Sequence, residues 1–430
     1  MDAPFIKTRL ANGLTLLMKE IHTAPIISSW IWYRVGSRDE QPGRTGISHW
    51  VEHMQFKGTP QFPASVLDKA ISREGGVWNA FTYLDWTAYF ETLPADKIDL
   101  ALRLEADRMV NSVYDQEEVA SERTVVISER EGNENEPLFR LGEAVQKAAF
   151  RVHGYHHEII GEKSDLQTIT RDDLYNHYRM YYKPGNAVLA VAGDFDIRSM
   201  QQRIEELFGD LPGGQPPPHP DQMEPPPQGE QRLTLTGPGE TTYLQVAYRA
   251  PAANQEDFFA FTILDSLLSG PSNLNMFGGG ISNKTSRLYR RLVEGELAVS
   301  VHGSLQATID PFLYDVTITV RPDKTPEAAL AALDEEIQRL QEQTVAAEEI
   351  QRACKQARAL FAYGSENITN QAFWLGYAEM FSTYDWFLNY ISKLETITPA
   401  EVQRIAREYL YPGARVVGVY LPEKGGGAER

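Results

Sequence analysis

The spacing of apolar positions changes period several times along the first half of the chain. Apolar stretches at residues 13–20 and 26–35 predict two strands. A helical period follows around residues 46–57, and another at Ala64–Arg73. Residues 76–92 predict a β-hairpin, in which Trp78, Ala80 and Phe90 alternate as a half-buried sheet requires. Two long helical runs follow at residues 98–110 and 116–132, and a third helical run later in the chain covers residues 348–360. Adjacent strands with short connections, mixed with helices but not alternating strictly with them, predict an α+β fold with antiparallel sheets backed by helices.

Residues 166–191, LQTITRDDLYNHYRMYYKPGNAVLAV, align without a gap to residues 394–419, LETITPAEVQRIAREYLYPGARVVGV. Thr168–Thr170 match Thr396–Thr398, Arg179 matches Arg407, and Tyr181, Pro184 and Gly185 match Tyr409, Pro412 and Gly413. Each copy reads as a helix capped by a threonine (Thr170 or Thr398), a Pro-Gly stop and an apolar strand. Between the copies, residues 211–230, LPGGQPPPHPDQMEPPPQGE, carry proline and glycine without apolar periodicity, which predicts an extended, semi-rigid linker. The expected organisation is a duplication: one domain at residues 1–210, the linker at 211–230, and a homologous domain at 231–430.

Composition narrows the function. Hydrophobic residues make up 42% and charged residues 23% of 430, an ordinary globular balance. The net charge of −18 disfavours nucleic acid as a partner and suits a solvated acidic surface or an acid-lined cavity. No run of 18 apolar residues predicts a membrane span. Residues 1–12 lack a basic-then-apolar leader, so a cytoplasmic location is the default expectation, with a periplasmic or extracytoplasmic one open if a leader was removed. The lone Cys354 excludes an internal disulfide and multi-cysteine metal sites, and reads as a small packed residue in its helical run.

The chemistry concentrates in residues 46–60, GISHWVEHMQFKGTP. Thr45 can cap a helix here, and Gly58 and Pro60 end it. On a helix, His49 and His53 share a face and can reach one ion, with Glu52 beside them. Imidazole nitrogens suit zinc, and a neighbouring carboxylate can take a proton from a zinc-bound water. Catalytic zinc takes a third protein ligand. Asp115 to Glu118 carry a capping-box signal that opens a helix through Glu122 and Glu129, seven residues apart on one face, and either could complete the site. The plainer alternative is an amphipathic helix with two satisfied histidines.

The stretch GISHWVEHMQFKGTP resembles the signature of the pitrilysin- or insulysin-type (M16) peptidases, inverted zincins with an H-x-x-E-H motif. Residues 75–89, GGVWNAFTYLDWTAY, are similar to the family's G-G-x-x-N-A-x-T-x-x-D-x-T-x-Y. Residues 122–129 are similar to its E-R-x-x-V-x-x-E. The likeness covers most of the chain, strongly in the first half and loosely in the second.

The resemblance implies one zinc ion per chain held by His49, His53 and Glu129. It implies Glu52 as the catalytic base and Glu122 as a second acidic residue that supports the site without touching metal, where the plain reading of Glu122 is a solvated helix face. Asn79 and Ala80 would contact substrate peptide on an edge strand, where the plain reading is a structural hairpin. His153, His156 and His157 read as a loop, not as a second metal site.

Active relatives carry an arginine and a tyrosine in a segment of the second half. Here Val293 and Val299 stand at those positions, with Tyr289, Arg290 and Arg291 nearby but off the motif. Such donors matter for a developing oxyanion. The expectation is therefore a zinc metalloendopeptidase acting on peptides or unfolded polypeptides in a dimeric clamshell cavity. The chain would be the zinc-bearing subunit of a short-chain form like the mitochondrial processing peptidase. It would pair with itself or with a related chain that brings Arg and Tyr. The alternative is a non-catalytic structural or peptide-binding subunit of the same family.

Overall fold

The computed structural model describes residues 5–220, 222–275 and 280–423, with the side chains of 66–68 also outside the description. The ends of the two expected domains and residue 221 of the expected linker thus lie outside the described residues. Two compact units are formed. One comprises Met1–Arg130, His157–Gln222 and Ser365–Phe387, and the other Glu131–His156, Met223–Gly364 and Leu388–Arg430.

The first unit holds a six-stranded sheet. Its strands are β1 (Phe5–Arg9), β2 (Thr15–Glu20), β3 (Ile26–Tyr33), β4 (Val77–Thr82), β5 (Thr87–Pro94) and β6 (Ala187–Gly193), in the order β1-β2-β6-β3-β5-β4. The second holds β7 (Gln231–Gly237), β8 (Tyr243–Arg249), β9 (Ala298–Leu305), β10 (Leu313–Val320) and β11 (Arg415–Pro422), in the order β7-β11-β8-β10-β9. Removing β1 leaves two sheets of one topology. β2 runs parallel to β6 as β7 does to β11, and every other pair is antiparallel. The antiparallel expectation therefore holds except at that one pair per sheet, where a long excursion through the helices returns the chain in parallel.

The repeat read from the sequence is this duplication in local form. Thr170 caps the helix Arg171–Tyr181 by accepting from Asp173 N, and Thr398 caps Pro399–Tyr409 by accepting from Glu401 N, each as a capping box. Arg179 donates to the carbonyl of Val110, and its counterpart Arg407 to that of Gln341. The linker is tied down rather than free. Asn12 Nδ2 donates to the carbonyls of Phe208 and Leu211, and His219 Nδ1 lies 2.9 Å from Asp39 Oδ1 in the first unit. Glu224 accepts three backbone N–H groups, from Arg151, Val152 and His153, in the second.

Both sheets are covered on two faces, and one helix on each comes from the other half of the sequence. In the first unit Ile27, Ile31 and Tyr33 of β3 enter a core with Trp50, Val51, Leu102 and Tyr178. Trp30 and Trp32 point the other way, against Phe373 at ring-centroid distances of 5.4 Å each. Phe373 belongs to the helix Ile368–Phe381, nearly all of whose residues are buried. In the second unit the helix Pro137–Ala149 lies on β11, with Leu141 and Val145 over Gly418. Strands buried on both faces read as apolar runs without alternation, as β3 and β6 do. The exchange also explains why the units depart from the expected boundaries at 210 and 231: covering a second sheet face requires an apolar helix, and sequence position does not restrict which half provides it. No helix among the described residues is long and apolar enough to cross a membrane.

Gly376 faces the Trp32 indole, where an added Cβ would collide with Nε1. Gly376→Ala should therefore destabilise the first unit by on the order of 1–3 kcal/mol through overpacking. Urea unfolding followed by tryptophan fluorescence measures this, and an unchanged midpoint would show that the helix shifts freely on the sheet.

Candidate metal centre

The helix Ile47–Met54 carries His49, Glu52 and His53 beside the β4 edge of the first sheet. Its start differs from the expectation that Thr45 caps it. The N-cap residue is Gly46, in the left-handed region at φ 84°, with no side-chain cap of its own. A Cβ at Gly46 would run into the carbonyl of Ile160, so the close approach of residues 160–161 admits glycine alone. The cap is supplied from outside by Glu40, whose Oε2 accepts Gly46 N at 2.7 Å and whose Oε1 accepts Ser48 N at 2.8 Å. Its two oxygens satisfy orphan donors at the helix start. Burial pushes the Glu40 carboxyl up to about 8, with the bonds from Ser48 and Gly46 pulling against it. Thr45 instead donates to Asp165 Oδ2 at 2.8 Å and accepts Glu162 N at 2.8 Å.

At its other end, Gln55 is bracketed by Tyr114 OH (2.9 Å) and Ser112 Oγ (2.7 Å). The second helix, Gln116–Glu134, begins just beyond, its first N–H groups from Glu117 and Glu118 accepted by Asp115 Oδ1. Arg123 fixes this helix in place. Its guanidinium donates to the carbonyls of Leu166 and Ile169 at 2.6 Å each and lies 4.9 Å from the Trp50 ring centre.

Between the two helices His49, His53 and Glu129 each offer one donor atom, all within 4.8 Å of one another. Glu129 Oε1 lies 3.9 Å from His49 Nε2, and Oε2 lies 3.5 Å from His53 Nε2. A tetrahedral zinc with ligand bonds of about 2.0–2.1 Å sets its donors about 3.3 Å apart, so small side-chain adjustments suffice. Two imidazoles and a carboxylate, with a fourth position left open, are the donor set of a catalytic zinc.

The protonation state of His49 agrees. Burial pulls His49 down to about 3, so its ring is neutral, as a ligand must be. His53 Nδ1 lies 2.9 Å from Glu122 Oε1, which leaves Nε2 facing Glu129. Against the downward pull of burial, that bond and the charges of Glu52, Glu129 and Glu122 raise the His53 pKa. The bond takes the form of the carboxylate–imidazole pairs that orient metal-bound histidines.

Glu122 is buried, so the solvated-face alternative does not hold. Lys57 Nζ pairs with its Oε2. Against the upward push of burial, the His53 and Lys57 bonds hold its carboxyl below the usual range. Glu52 is 8% exposed, and its Oε2 accepts Thr82 Oγ1 at 2.7 Å. Burial pushes its carboxyl up to about 7, tempered first by that bond. A carboxyl with a pKa near neutrality suits general-base work.

β4 is an edge strand, paired with β5 alone. The hairpin closes on the bond from Tyr83 N to the Trp86 carbonyl. Counting back by antiparallel alternation turns the main chain of Thr82, Ala80 and Trp78 to the open edge. Ala80 is buried as a side chain, and its N–H donates to Asn79 Oδ1 at 2.9 Å, while Asn79 is exposed.

The remaining expectations fall elsewhere. His153 Nε2 meets Asp310 (3.1 Å), His156 Nδ1 meets the Phe150 carbonyl (3.2 Å), and His157 Nδ1 meets the Glu158 carbonyl (3.1 Å). In the second unit Val293 lies in the turn Tyr289–Glu294, and Val299 on edge strand β9 is 60% exposed. Sequence reasoning missed Glu40, Lys57, Thr82 and Arg123. Lys57 carried a local signal, standing four residues after His53 as His53 stands four after His49, and Thr82 and Arg123 stand at motif positions of the family segments that residues 75–89 and 122–129 resemble.

Fold and site together define a two-unit peptidase architecture with an H-x-x-E-H helix. The sequence matches the family described as Insulinase (Peptidase family M16) over residues 15–163, and the one described as Peptidase M16 inactive domain over residues 168–357. The chain belongs to the M16 peptidase family. It is 28% identical to a protein of Mycobacterium leprae named an uncharacterized zinc protease, over 98% of this chain and 94% of that one. It is 31% identical to the zinc protease PqqE of Helicobacter pylori, over 60% of each. Among solved structures, a protease from Helicobacter pylori superposes with a TM-score of 0.91 at 25% identity, covering 98% of this chain and 100% of that one. A putative M16-like peptidase from Alicyclobacillus acidocaldarius shares the fold, with a TM-score of 0.83 at 22% identity, covering 98% of this chain and 99% of that one.

Glu40→Ala would strip the acceptors from two buried N–H groups at the start of the motif helix and should cost about 2–3 kcal/mol of stability. Glu40→Gln keeps one acceptor oxygen and should cost less. Chemical denaturation of both variants checks the order, and equal stability of all three proteins would remove Glu40 from this role.

Proposed function

We propose that this chain is a zinc metalloendopeptidase, in which His49, His53 and Glu129 hold one zinc ion and Glu52 is the general base. The reading is carried by the convergence of those three donors from two helices, with buried Glu52 one residue before His53. A zinc ion held there supplies a Lewis acid and a water of lowered pKa. Glu52 takes the proton of the attacking water and returns it to the leaving amine, its carboxylate steadied by Thr82 Oγ1. Glu122 orients His53 through Nδ1. The open edge of β4 receives the substrate peptide as an added strand, with the Ala80 N–H passing from Asn79 Oδ1 to a peptide carbonyl. Peptides and unfolded polypeptides meet this requirement because their backbones are free to pair.

Val293 and Val299 support a second element of the reading. Where active relatives place arginine and tyrosine, this chain offers no donor, so a partner chain supplies them, and the two chains enclose the peptide in a clamshell cavity. The partner is a second copy or a related chain. A non-catalytic, peptide-binding role is the competing reading, and those valines are its support. The intact donor set favours the enzyme, since a scaffold has no use for it.

Purified chain loaded with zinc should cleave a quenched, unstructured peptide in a chelator-sensitive way, alone or after addition of the partner. Glu52→Gln should keep its zinc and lose about 10²–10⁴-fold in rate. Cleavage that survives this substitution would remove Glu52 as the base. A wild-type chain that binds no zinc would overturn the metal assignment. Full zinc content with silence both alone and beside the partner would favour the non-catalytic reading.

A further inference from the structure

Two sets of side chains face each other across the packed helices in opposite chain order. His49, His53 and Lys57 recur every four residues, on the motif helix and the turn that continues it. Glu129, Glu122 and Glu118 line the facing side of the second helix. The contacts run as a ladder: His49 with Glu129, His53 with Glu129 and Glu122, and Lys57 with Glu122 and Glu118. Lys57 Nζ thus bridges Glu122 and, at 3.7 Å, Glu118, one helical turn away.

This is not an ordinary surface ion pair, which would be worth little. The Glu122 side chain is 7% exposed, and each of its oxygens has a separate task. Oε1 meets His53 Nδ1 and Oε2 meets Lys57. A carboxylate so far from water needs a cation or a full set of donors. The imidazole N–H provides one donor, and the Arg123 guanidinium beside it in sequence is committed to the carbonyls of Leu166 and Ile169. Without Lys57, three glutamates on one helix face would repel one another, and Glu122 would turn toward solvent. The ring of His53 would then lose the bond that fixes its rotation.

We propose that Lys57 is a positioning residue of the metal centre, holding Glu122 on His53 Nδ1 and so committing His53 Nε2 to the ion. The proposal rests on the reading of His49, His53 and Glu129 as zinc ligands. Lys57 acts at two bonds' remove from the ion and touches neither substrate nor reacting atoms. Its second effect is on register. By spanning Glu118 and Glu122 it fixes how far along the second helix the motif helix sits, and Glu129 lies seven residues beyond Glu122 on the same face.

The test is zinc affinity, measured on the full chain by competition with a chelating dye, for wild type, Lys57→Met, Lys57→Gln, Lys57→Arg and Glu122→Gln. Lys57→Met should bind zinc about 10–100-fold more weakly, the usual loss when the partner of a ligand is removed. Lys57→Arg, which keeps the charge, should stay close to wild type. Lys57→Gln keeps polarity without charge and should behave as Lys57→Met, so the conclusion does not hang on one variant's folding. The double variant Lys57→Met/Glu122→Gln should be no weaker than Glu122→Gln alone, because Lys57 acts through Glu122. Wild-type affinity in both uncharged variants, or losses that add in the double variant, would overturn the proposal while leaving the metal site standing. A wild-type chain that takes up no zinc is a different failure, since it overturns the metal assignment itself and Lys57's role with it.

Discussion

Arg123 spans the packing contact that joins the two helices of the site. Its guanidinium stacks near the Trp50 indole while giving both of its outer nitrogens to carbonyls at residues 166 and 169. One side chain thereby joins the motif helix, the second helix and the start of the helix–turn–strand unit that ends in β6. Trp50 is wholly buried and Arg123 half-buried, so water reaches the contact from one side only. The donor atoms of His49, His53 and Glu129 come from two helices that share no backbone hydrogen bonds. Their spacing depends on side chains such as this one and on the Gln55 bracket at the far end.

Around that contact the first unit concentrates buried ionisable groups. Glu40 serves a helix terminus, Glu52 lies against Thr82, and Glu122 lies between His53 and Lys57. Deeper in the core, Arg108 is paired with Glu105 and Glu91 and lies 4.2 Å from the Tyr89 ring centre. Buried ions contribute little net stability against an apolar replacement, but each is costly to leave alone. Their value here is geometric: Glu40 and Glu122 each meet two distinct partners, so each is satisfied in one orientation.

The duplicated sheet shows how the same frame supports different content. The helix Asp257–Leu268 follows β8 as the motif helix follows β3, yet it carries Phe258, Phe261 and Leu264 instead of histidines and is buried from Phe258 onward. The sheet topology and the capping boxes are kept in both copies, because they serve folding. The His49–Glu52–His53 pattern is present in one.

The sequence alone determined the elements of residues 13–132 and the repeated helix–turn–strand unit. The strands, helices and hairpin of residues 13–132, both threonine caps and the duplication were legible because they depend on local periods of two and 3.6 residues and on residues that stop them. His49, Glu52 and His53 were legible because a helix places them on one face. Spacing left Glu122 and Glu129 as equals; their distinct places, one behind His53 and one facing both histidines, were decided by how the second helix packs. Glu40 gave no signal, since it reaches the motif helix from a loop whose approach no local pattern encodes, and Thr82 stood at a motif position that did not say it meets Glu52. The exchange of covering helices was likewise invisible, because an apolar helix in the sequence does not say which sheet it will cover. Local order is written in neighbours along the chain. Partners across the core are chosen by packing, which depends on the whole fold at once.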